Sequence, residues 1–411
     1  MNLTSNQPVD VNVQNKATVL EIKDFEQKKA LGLWKKNKFK GSVIAGTGFG
    51  KGRVGCLAIG EILLRYEGRG LFLVPTTQLQ DQAKDEFIKW GYEELLDRID
   101  IVCYQSAYKY VGKEYTVTVA DEVHIGLSPQ YRAIFTNNIH HRLLCMTATL
   151  PEEAEYKTFL INLAPPVYVI TLDECVVKGL VAPYKITCIP VRLTPEEKEA
   201  YMAANKLFVY YKYQLGQFQA FDEANRILAD SNASPLEKKN AAMFYKAIRD
   251  RKEVVQKATN KINSTVEIVK NFPDKKILTF AGTNDFTNEM YSGINKELDG
   301  AARRYHSALG KGEKVTALAD FKSGKASVLC STKALNQGFD VPDAQLGIIC
   351  GLDSKALQMI QRVGRLLRLS PNKTGEVVIF YVADSQEEKW LRNSIRNLSN
   401  VVWMNDISSY I

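Results

Sequence analysis

The chain has 411 residues, 45% of them hydrophobic and 24% charged, the balance of a folded protein of two or three domains rather than of a disordered one. Its 54 Lys and Arg against 46 Asp and Glu leave a formal charge of +8, which permits a nucleic-acid partner without demanding one, because no long basic run occurs. The seven cysteines form no Cys-x-x-Cys pair, which argues against a zinc ribbon or a secreted disulfide framework.

The N-terminal residues MNLTSNQPVDVNVQNK are polar and unpatterned. They lack the apolar stretch of a signal peptide, and no run approaches the ~18–20 apolar residues of a membrane span. The expectation is a soluble, cytoplasmic chain with no membrane partner. Residues 1–20 read as a loose arm and 24–37 as a helix. Short, almost wholly apolar runs then alternate with helical segments: Ser42–Ala45, Leu71–Val74, Ile101–Tyr104, Thr116–Ala120 and Leu143–Met146. Such runs between helices predict buried parallel strands of a helix-flanked sheet.

The pattern resumes with Lys276–Phe280, Ser327–Cys330, Leu346–Cys350 and Val377–Tyr381. Between the two series lies a charged, helix-favouring stretch. Pro195 with Glu196, Glu197 and Glu199 suits a helix's first turn, where proline is tolerated and acids meet the positive end. The expected organisation is α/β: an N-terminal arm (1–20), a first parallel-sheet domain (21–175), a connector with a helical insert (176–270) and a second parallel-sheet domain (271–411). The aromatic stretch Phe208, Tyr210, Tyr211, Tyr213, Phe218 and Phe221 suits either base stacking or helix packing.

After the first strand comes Ala45-Gly46-Thr47-Gly48-Phe49-Gly50-Lys51-Gly52. A strand, glycines, a lysine and then a helix is the layout of a phosphate-binding loop. Gly46, Gly48 and Gly50 let backbone N–H groups turn toward phosphate oxygens that Cβ atoms would crowd. The following helix points its positive end at the anion, and Lys51 would reach the outer phosphates. Position 52 is Gly rather than the Ser or Thr whose hydroxyl binds Mg²⁺.

Seventy residues after Lys51, the run Val117–Ala120 leads into Asp121-Glu122-Val123-His124. A strand ending in two carboxylates sets both at the sheet's carboxyl edge, where open α/β folds bind ligands. Thr147-Ala148-Thr149 follows the next strand. Together these segments resemble the superfamily 2 helicases and translocases of the DExH type. Phe25-Glu26-Gln27 stands where that family reads adenine, so Gln27 takes that role. Pro75-Thr76-Thr77-Gln78-Leu79 looks like motif Ia, Tyr104-Gln105-Ser106 like motif Ib and Lys276–Gly282 like motif IV. Residues Ser331–Pro342, with Gly338 and Asp340, look like motif V, and Gln361-Arg362-Val363-Gly364-Arg365-Leu366-Leu367-Arg368 like motif VI. The helical insert and Leu193-Thr194-Pro195 look most like the XPB-like, type III restriction and Snf2-like branch.

The resemblance implies two RecA-like domains that hydrolyse ATP between them with Mg²⁺. Gly46, Thr47, Gly48, Phe49, Gly50, Lys51 and Gly52 would bind nucleotide, with Gln27, Gly338 and Asp340. Asp121 would hold the metal, and Glu122 would orient the attacking water and accept its proton. Gln361, Arg365 and Arg368 would meet the γ-phosphate, the arginines as fingers. His124, Thr147 and Thr149 would couple the nucleotide to the track. Pro75, Thr76, Thr77, Gln105, Ser106, Thr283 and Thr332 sit at strand ends, where short polar groups hold phosphates without reading bases. The track is nucleic acid, with DNA favoured over RNA and little sequence dependence. Gly52 and Gln337, the latter where many relatives carry Arg, depart from the family pattern. Two further readings stay open: an ATP-binding nucleic-acid switch with little turnover, and the motor subunit of a restriction or remodelling assembly completed by protein partners.

Overall fold

The computed structural model describes residues 11–46, 48–151, 153–181, 183–332, 344–352, 375–396 and 398–411, with the side chains of all of these except 11–18 and 78. The chain divides at Pro183 and Tyr184 into two compact units.

The first unit opens on helix α1 (Val11–Lys36), which begins inside the stretch that polarity alone suggests is loose. Its sheet is built from β1 (Lys40–Ala45), β2 (Gly70–Val74), β3 (Ile99–Cys103), β5 (Val117–Ala120), β7 (Leu143–Thr147) and β8 (Pro166–Ile170), in the order β3-β2-β5-β7-β1-β8. A separate two-stranded ribbon pairs β4 (Glu114–Tyr115) with β6 (Ile139–His140). All these pairings are parallel. The helices around them include α2 (Lys51–Leu63), α3 (Thr77–Lys89), α4 (Ala133–Thr136), α5 (Ala154–Leu163) and α6 (Leu172–Val177). Successive strand residues face opposite sides of a sheet. Phe72, Val74, Leu144 and Met146 accordingly join one core, and Leu71, Leu73, Leu143 and Cys145 the other. Burial on both faces is why these strands read as unbroken apolar runs. Edge strand β8, with the apolar sequence Pro-Val-Tyr-Val-Ile, alternates between buried and partly exposed positions and is not among the strands expected from the sequence.

The second unit's sheet runs β11-β12-β10-β13-β14-β9-β15, again wholly parallel. Its strands are β9 (Tyr184–Val191), β10 (Ile277–Phe280), β11 (Ala302–Tyr305), β12 (Val328–Ser331), β13 (Leu346–Ile349), β14 (Gly375–Val382) and β15 (Val401–Trp403). Strand β9, drawn from the stretch expected to be connector, lies between β14 and β15. Strand β11 escapes an apolar-run search because Arg303 and Arg304 interrupt it; Asp320 and Asn288 bind the two guanidinium groups.

The helical insert follows β9. It comprises α7 (Pro195–Gln214), α8 (Ala220–Ala229) and α9 (Pro235–Gln256), and α10 (Thr259–Asn271) leads back to the sheet. Helices α7 and α9 each start with proline behind a reciprocal cap, Thr194 with Glu197 and Ser234 with Glu237. The insert has its own small core of Leu215, Ala220, Ala224, Ile227, Ala241 and Phe244. Two more helices, α11 (Asn284–Glu297) and α12 (Lys311–Ser323), and the helix Gln386–Ile395 flank the sheet. No helix among the described residues is long and apolar enough to cross a membrane.

One polar cluster locks the second unit. Lys261 of α10 and Glu387 are both fully buried, with Nζ 2.7 and 2.8 Å from the two carboxylate oxygens. Lys261 also donates to the Cys350 carbonyl at 2.7 Å, and Glu387 accepts from the backbone N–H groups of Val382 and Leu352. The pair therefore joins α10, the ends of β13 and β14, and the helix Gln386–Ile395. Removing one partner strands a buried charge, which costs roughly 3–5 kcal/mol. Glu387→Ala is thus expected to lower the unfolding free energy of the second unit by about that amount in a urea titration. A double Lys261→Met, Glu387→Leu variant should recover most of the loss. Equal destabilisation by the double and single variants would contradict the assignment.

Candidate functional site

The glycine-rich loop joins the carboxyl end of β1 to α2. Phe49 is fully buried against Tyr168, with ring centroids 5.6 Å apart, and anchors the loop from below. Gly48 and Gly50 have φ of 87° and 88°, the left-handed region that L side chains avoid. Space confirms the need for glycine there: a Cβ on Gly50 would lie 2.4 Å from Gln27 Nε2, and one on Gly48 2.3 Å from Val181 Cγ1. At Gly52 a Cβ would meet nothing within 4 Å, so packing does not explain the absence of a hydroxyl residue. Gly50 caps α2 with no side chain, so the helix's leading N–H groups face the loop's concavity, an anion-binding arrangement.

Lys51 is the first residue of α2 and only 7% exposed. Its Nζ donates to the Ala45 carbonyl at 2.9 Å and stands 3.8 Å from Glu122 Oε1. The other Glu122 oxygen is 3.6 Å from His124 Nδ1, which lies 3.4 Å from Thr147 Oγ1. The Thr147 hydroxyl donates in turn to the Thr149 carbonyl at 3.1 Å. A continuous polar chain thus runs from the phosphate loop through the acidic turn to the end of β7. Strands β5, β7 and β1 are consecutive in the sheet, which brings residues 51, 122, 124 and 147 together from distant parts of the sequence.

Glu122 itself has φ 45° and ψ 51°. A left-handed conformation at a non-glycine residue costs on the order of 1–3 kcal/mol and persists only where surroundings enforce it. Here the enforcing bonds are visible. Asp121 N donates to the Leu73 carbonyl, the Tyr104 hydroxyl donates to the Asp121 carbonyl at 2.8 Å, and Asp121 Oδ1 accepts from Glu122 N at 3.0 Å. Tyr104 is fully buried, and burial pushes its phenol well above the ordinary value, so it remains a hydrogen-bond donor.

Gln27 is 3% exposed. Its amide donates to the Phe49 carbonyl at 2.7 Å and accepts from Arg53 Nη1 at 2.6 Å. Arg53 also pairs with Asp24 and lies over the Trp90 ring, 4.2 Å from its centroid. The helix α1 is therefore tied to the phosphate loop through Gln27. No motif in the sequence marks Arg53 or Asp24, and Tyr104, part of the motif Ib-like stretch, is not assigned this role there. The signal for Arg53 was its place, one turn into α2 beside the loop; its partners are set by tertiary contact.

The expected track residues lie farther along the same carboxyl edge. Pro75 and Thr76 follow β2, with Thr76 capping α3 and Thr77 as its first residue, and Gln105 and Ser106 lie in the 3-10 turn after β3. The Thr76 hydroxyl is buried with no hydrogen-bond partner among the described residues. In the second unit Thr283 follows β10 and caps α11, accepting from Phe286 N at 3.2 Å, and Thr332 follows β12. Thr47, Gly338, Asp340, Gln361, Arg365 and Arg368 lie outside the described residues.

Comparison with known proteins places this edge in context. Residues 15–152 match the family model for the type III restriction enzyme res subunit, and residues 260–370 that for the helicase conserved C-terminal domain. The chain is similar to the DNA 3'-5' translocase XPB2 of Sulfurisphaera tokodaii, 29% identical, across 85% of this chain and 79% of the relative. Among solved structures it resembles the Hef helicase domain of Pyrococcus furiosus, with TM-score 0.54 and 17% identity over 89% of this chain and 97% of that one. It also resembles S. cerevisiae Dbp5 bound to RNA and ADP BeF3, with TM-score 0.57 and 14% identity over 96% and 94%. Those two likenesses establish the tandem RecA-like fold. One helicase-type family model thus matches each unit and a DNA translocase relative matches most of the chain, so the protein is similar to the superfamily 2 helicases and translocases, which hydrolyse ATP.

Proposed function

We propose that the chain is a DNA-directed translocase whose ATP-hydrolysing site is built on the loop from Gly46 to Gly52, Lys51, Asp121 and Glu122. The observation that carries this reading is the polar chain from Lys51 through Glu122 and His124 to Thr147, with Glu122 held in a left-handed backbone. DNA is favoured over RNA because the relative spanning most of the chain is named as a DNA translocase.

Phosphoryl transfer to water asks mainly for positioning and charge stabilisation. The glycine loop and the start of α2 present N–H groups to phosphate oxygens. Lys51, nearly buried, brings a cation whose field is little screened. Glu122 lies between Lys51 and His124, positioned to orient a water molecule and accept its proton. The donors present fit Mg²⁺, a hard cation that takes carboxylate oxygen and phosphate ligands: Asp121 would hold it, and the space beside Gly52 leaves room for the water a hydroxyl would otherwise displace. Bound there, Mg²⁺ would offset charge on the phosphates. His124, Thr147 and Thr149 would carry a shift at Glu122 to the end of β7, while the Tyr104–Asp121 bond ties the acidic turn to the strand end bearing Gln105 and Ser106. The unpartnered Thr76 hydroxyl suits a phosphate oxygen, so affinity for the track depends on charge more than on sequence. Gln27, bonded to the loop, links base recognition to the loop's shape.

Gly52 favours a second reading, an ATP-binding switch with little turnover. A motor acting with restriction or remodelling partners draws on the match to the restriction-enzyme model. Three measurements decide among these. ATP hydrolysis should be stimulated by DNA, and Glu122→Gln should cut the stimulated rate by about 10²–10⁴-fold while nucleotide still binds; ATP binding without turnover under every polymer would favour the switch. Gly52→Thr, which the open space accommodates, should lower the Mg²⁺ concentration needed for half-maximal turnover. An unchanged or higher requirement would refute the role given to position 52. DNA affinity should fall linearly with salt on logarithmic axes, by about 0.9 per phosphate contacted, and vary little between sequences; strong sequence preference with a flat salt profile would contradict a phosphate-directed track.

A further inference from the structure

The aromatic residues of the helical insert fall into two sets that the sequence does not distinguish. Phe208 and Tyr211 pack inward against the insert's own core, Phe208 stacked on Phe244 at 5.6 Å between centroids and lying under the Arg251 guanidinium at 4.0 Å. Tyr210, Tyr213 and Phe218 point away, with exposures of 55%, 71% and 93%. A phenylalanine that exposed buries almost none of its apolar surface, so hydrophobic burial does not account for it.

The backbone is arranged to present it. After α7 the chain turns through Gly216 and Gln217, with φ of 81° and 52°. Two successive left-handed residues, one of them not glycine, make a tight turn, closed by Gln217 N donating to the Lys212 carbonyl and Phe218 N to the Gly216 carbonyl. Phe218 stands at the tip of that turn. Tyr210 and Tyr213 are three apart on α7 and share a face just before it. Behind them the core around Phe244 keeps the projection rigid, so the rings are held out on a fixed scaffold.

Charge indicates what these rings meet. No Asp or Glu occurs between Glu199 and Asp222, whereas Lys206 and Lys212 do, with Asn205, Gln214, Gln217 and Gln219. The acids of α7 lie in its first turns, and Glu223 of α8 is paired with Arg226. The stretch from residue 200 to 221 is thus acid-free, aromatic and amide-rich with two lysines, and the next acid along the chain is exposed Asp222 at the start of α8. A hydrophobic protein partner needs no such exclusion of acids. An unpaired polynucleotide does, because its phosphates repel carboxylates while its bases stack on ring faces.

We propose that the tip of the insert, Tyr210, Tyr213 and Phe218 with Lys206 one turn before Tyr210, is a stacking platform for single-stranded nucleic acid, distinct from the phosphate-directed contacts at the strand ends. This rests on the reading of the chain as a nucleic-acid motor and adds to it a contact selective for unpaired bases, such as those at a junction or fork.

The test is direct binding by the full chain, by fluorescence anisotropy, to dye-labelled oligo(dT) of about 20 nucleotides, enough to span a site of roughly 4–16 nucleotides, and to a duplex of equal length. Tyr213→Ala and Phe218→Ala should each weaken oligo(dT) binding about ten-fold and duplex binding by less than about two-fold. Tyr213→Trp should retain affinity and Tyr213→Leu should not, because leucine is apolar but has no ring face. Leu236→Ser, an exposed apolar residue of the same insert outside the platform, is the control and should bind as the parent does. All of these residues are exposed, so unchanged circular dichroism and unfolding curves are expected for every variant. Undiminished oligo(dT) binding by a Tyr213→Ala, Phe218→Ala double variant, or equal losses on oligo(dT) and duplex, would overturn the platform. So would loss of self-association, seen by sedimentation, with oligo(dT) binding intact, which would assign the face to a second copy of the chain. DNA-stimulated ATP hydrolysis persisting in those cases would leave the motor reading standing. A parent chain that neither binds nor responds to any polynucleotide would remove both.

Discussion

The parallel hydrogen-bond ladder is the constraint from which the rest follows. Every strand pairing described in both sheets is parallel. Parallel neighbours cannot be joined by a hairpin and need a crossover, so every strand delivers its carboxyl end to the same edge. Residues 51, 122 and 147 meet there because β1, β5 and β7 are adjacent, not because of any nearness in sequence. The same rule sets the track residues after β2 and β3 beside the acidic turn, since β5 separates them from β7 and β1. Proximity of the glycine loop to the polar residues after β2 and β3 is thus a property of strand order.

Each unit uses its carboxyl edge differently. In the first unit Lys51 and Glu122 approach no closer than a long ion pair, 3.8 Å, and Glu122 adopts a backbone that costs free energy. Lys51 donates meanwhile to the Ala45 carbonyl at 2.9 Å and Glu122 also faces His124, so the pair is one link of a wider polar network. In the second unit Lys261 and Glu387 meet at hydrogen-bond distance with their remaining bonding capacity taken up by backbone groups. That pair contributes by fixing which elements adjoin, since a buried ion pair gives little net stability over an apolar equivalent.

The insert illustrates how two side chains of one type diverge in role. Phe208 and Phe218 are ten residues apart in one stretch. Phe208 lies on the face of α7 that meets α9 and is absorbed by the Phe244 core, whereas Phe218 lies beyond a double left-handed turn and is absorbed by nothing. Periodicity along α7 separates inward from outward faces in principle. A continuous run of aromatics blurs that period, so the assignment awaits the neighbouring helix.

The sequence by itself determined the class of fold, most of the strands, the phosphate loop and the acidic turn. Each of these is a local pattern: apolar runs of strand length, glycines where φ must be positive, carboxylates directly after a strand. Of the strands it missed, β11 is interrupted by paired arginines, whereas β8 is itself an apolar run and β9 falls in the stretch expected to be connector, so only their sheet neighbours reveal them. Tertiary structure alone decided the partners. Gln27 binding the loop, Arg53 lying over Trp90, Tyr104 fixing the turn before Glu122, and Lys261 finding Glu387 each join residues 17 to 126 positions apart. Side chains of that kind carry no periodic signature, because what they bond to depends on which strands are neighbours, and strand order is settled only when the whole sheet assembles.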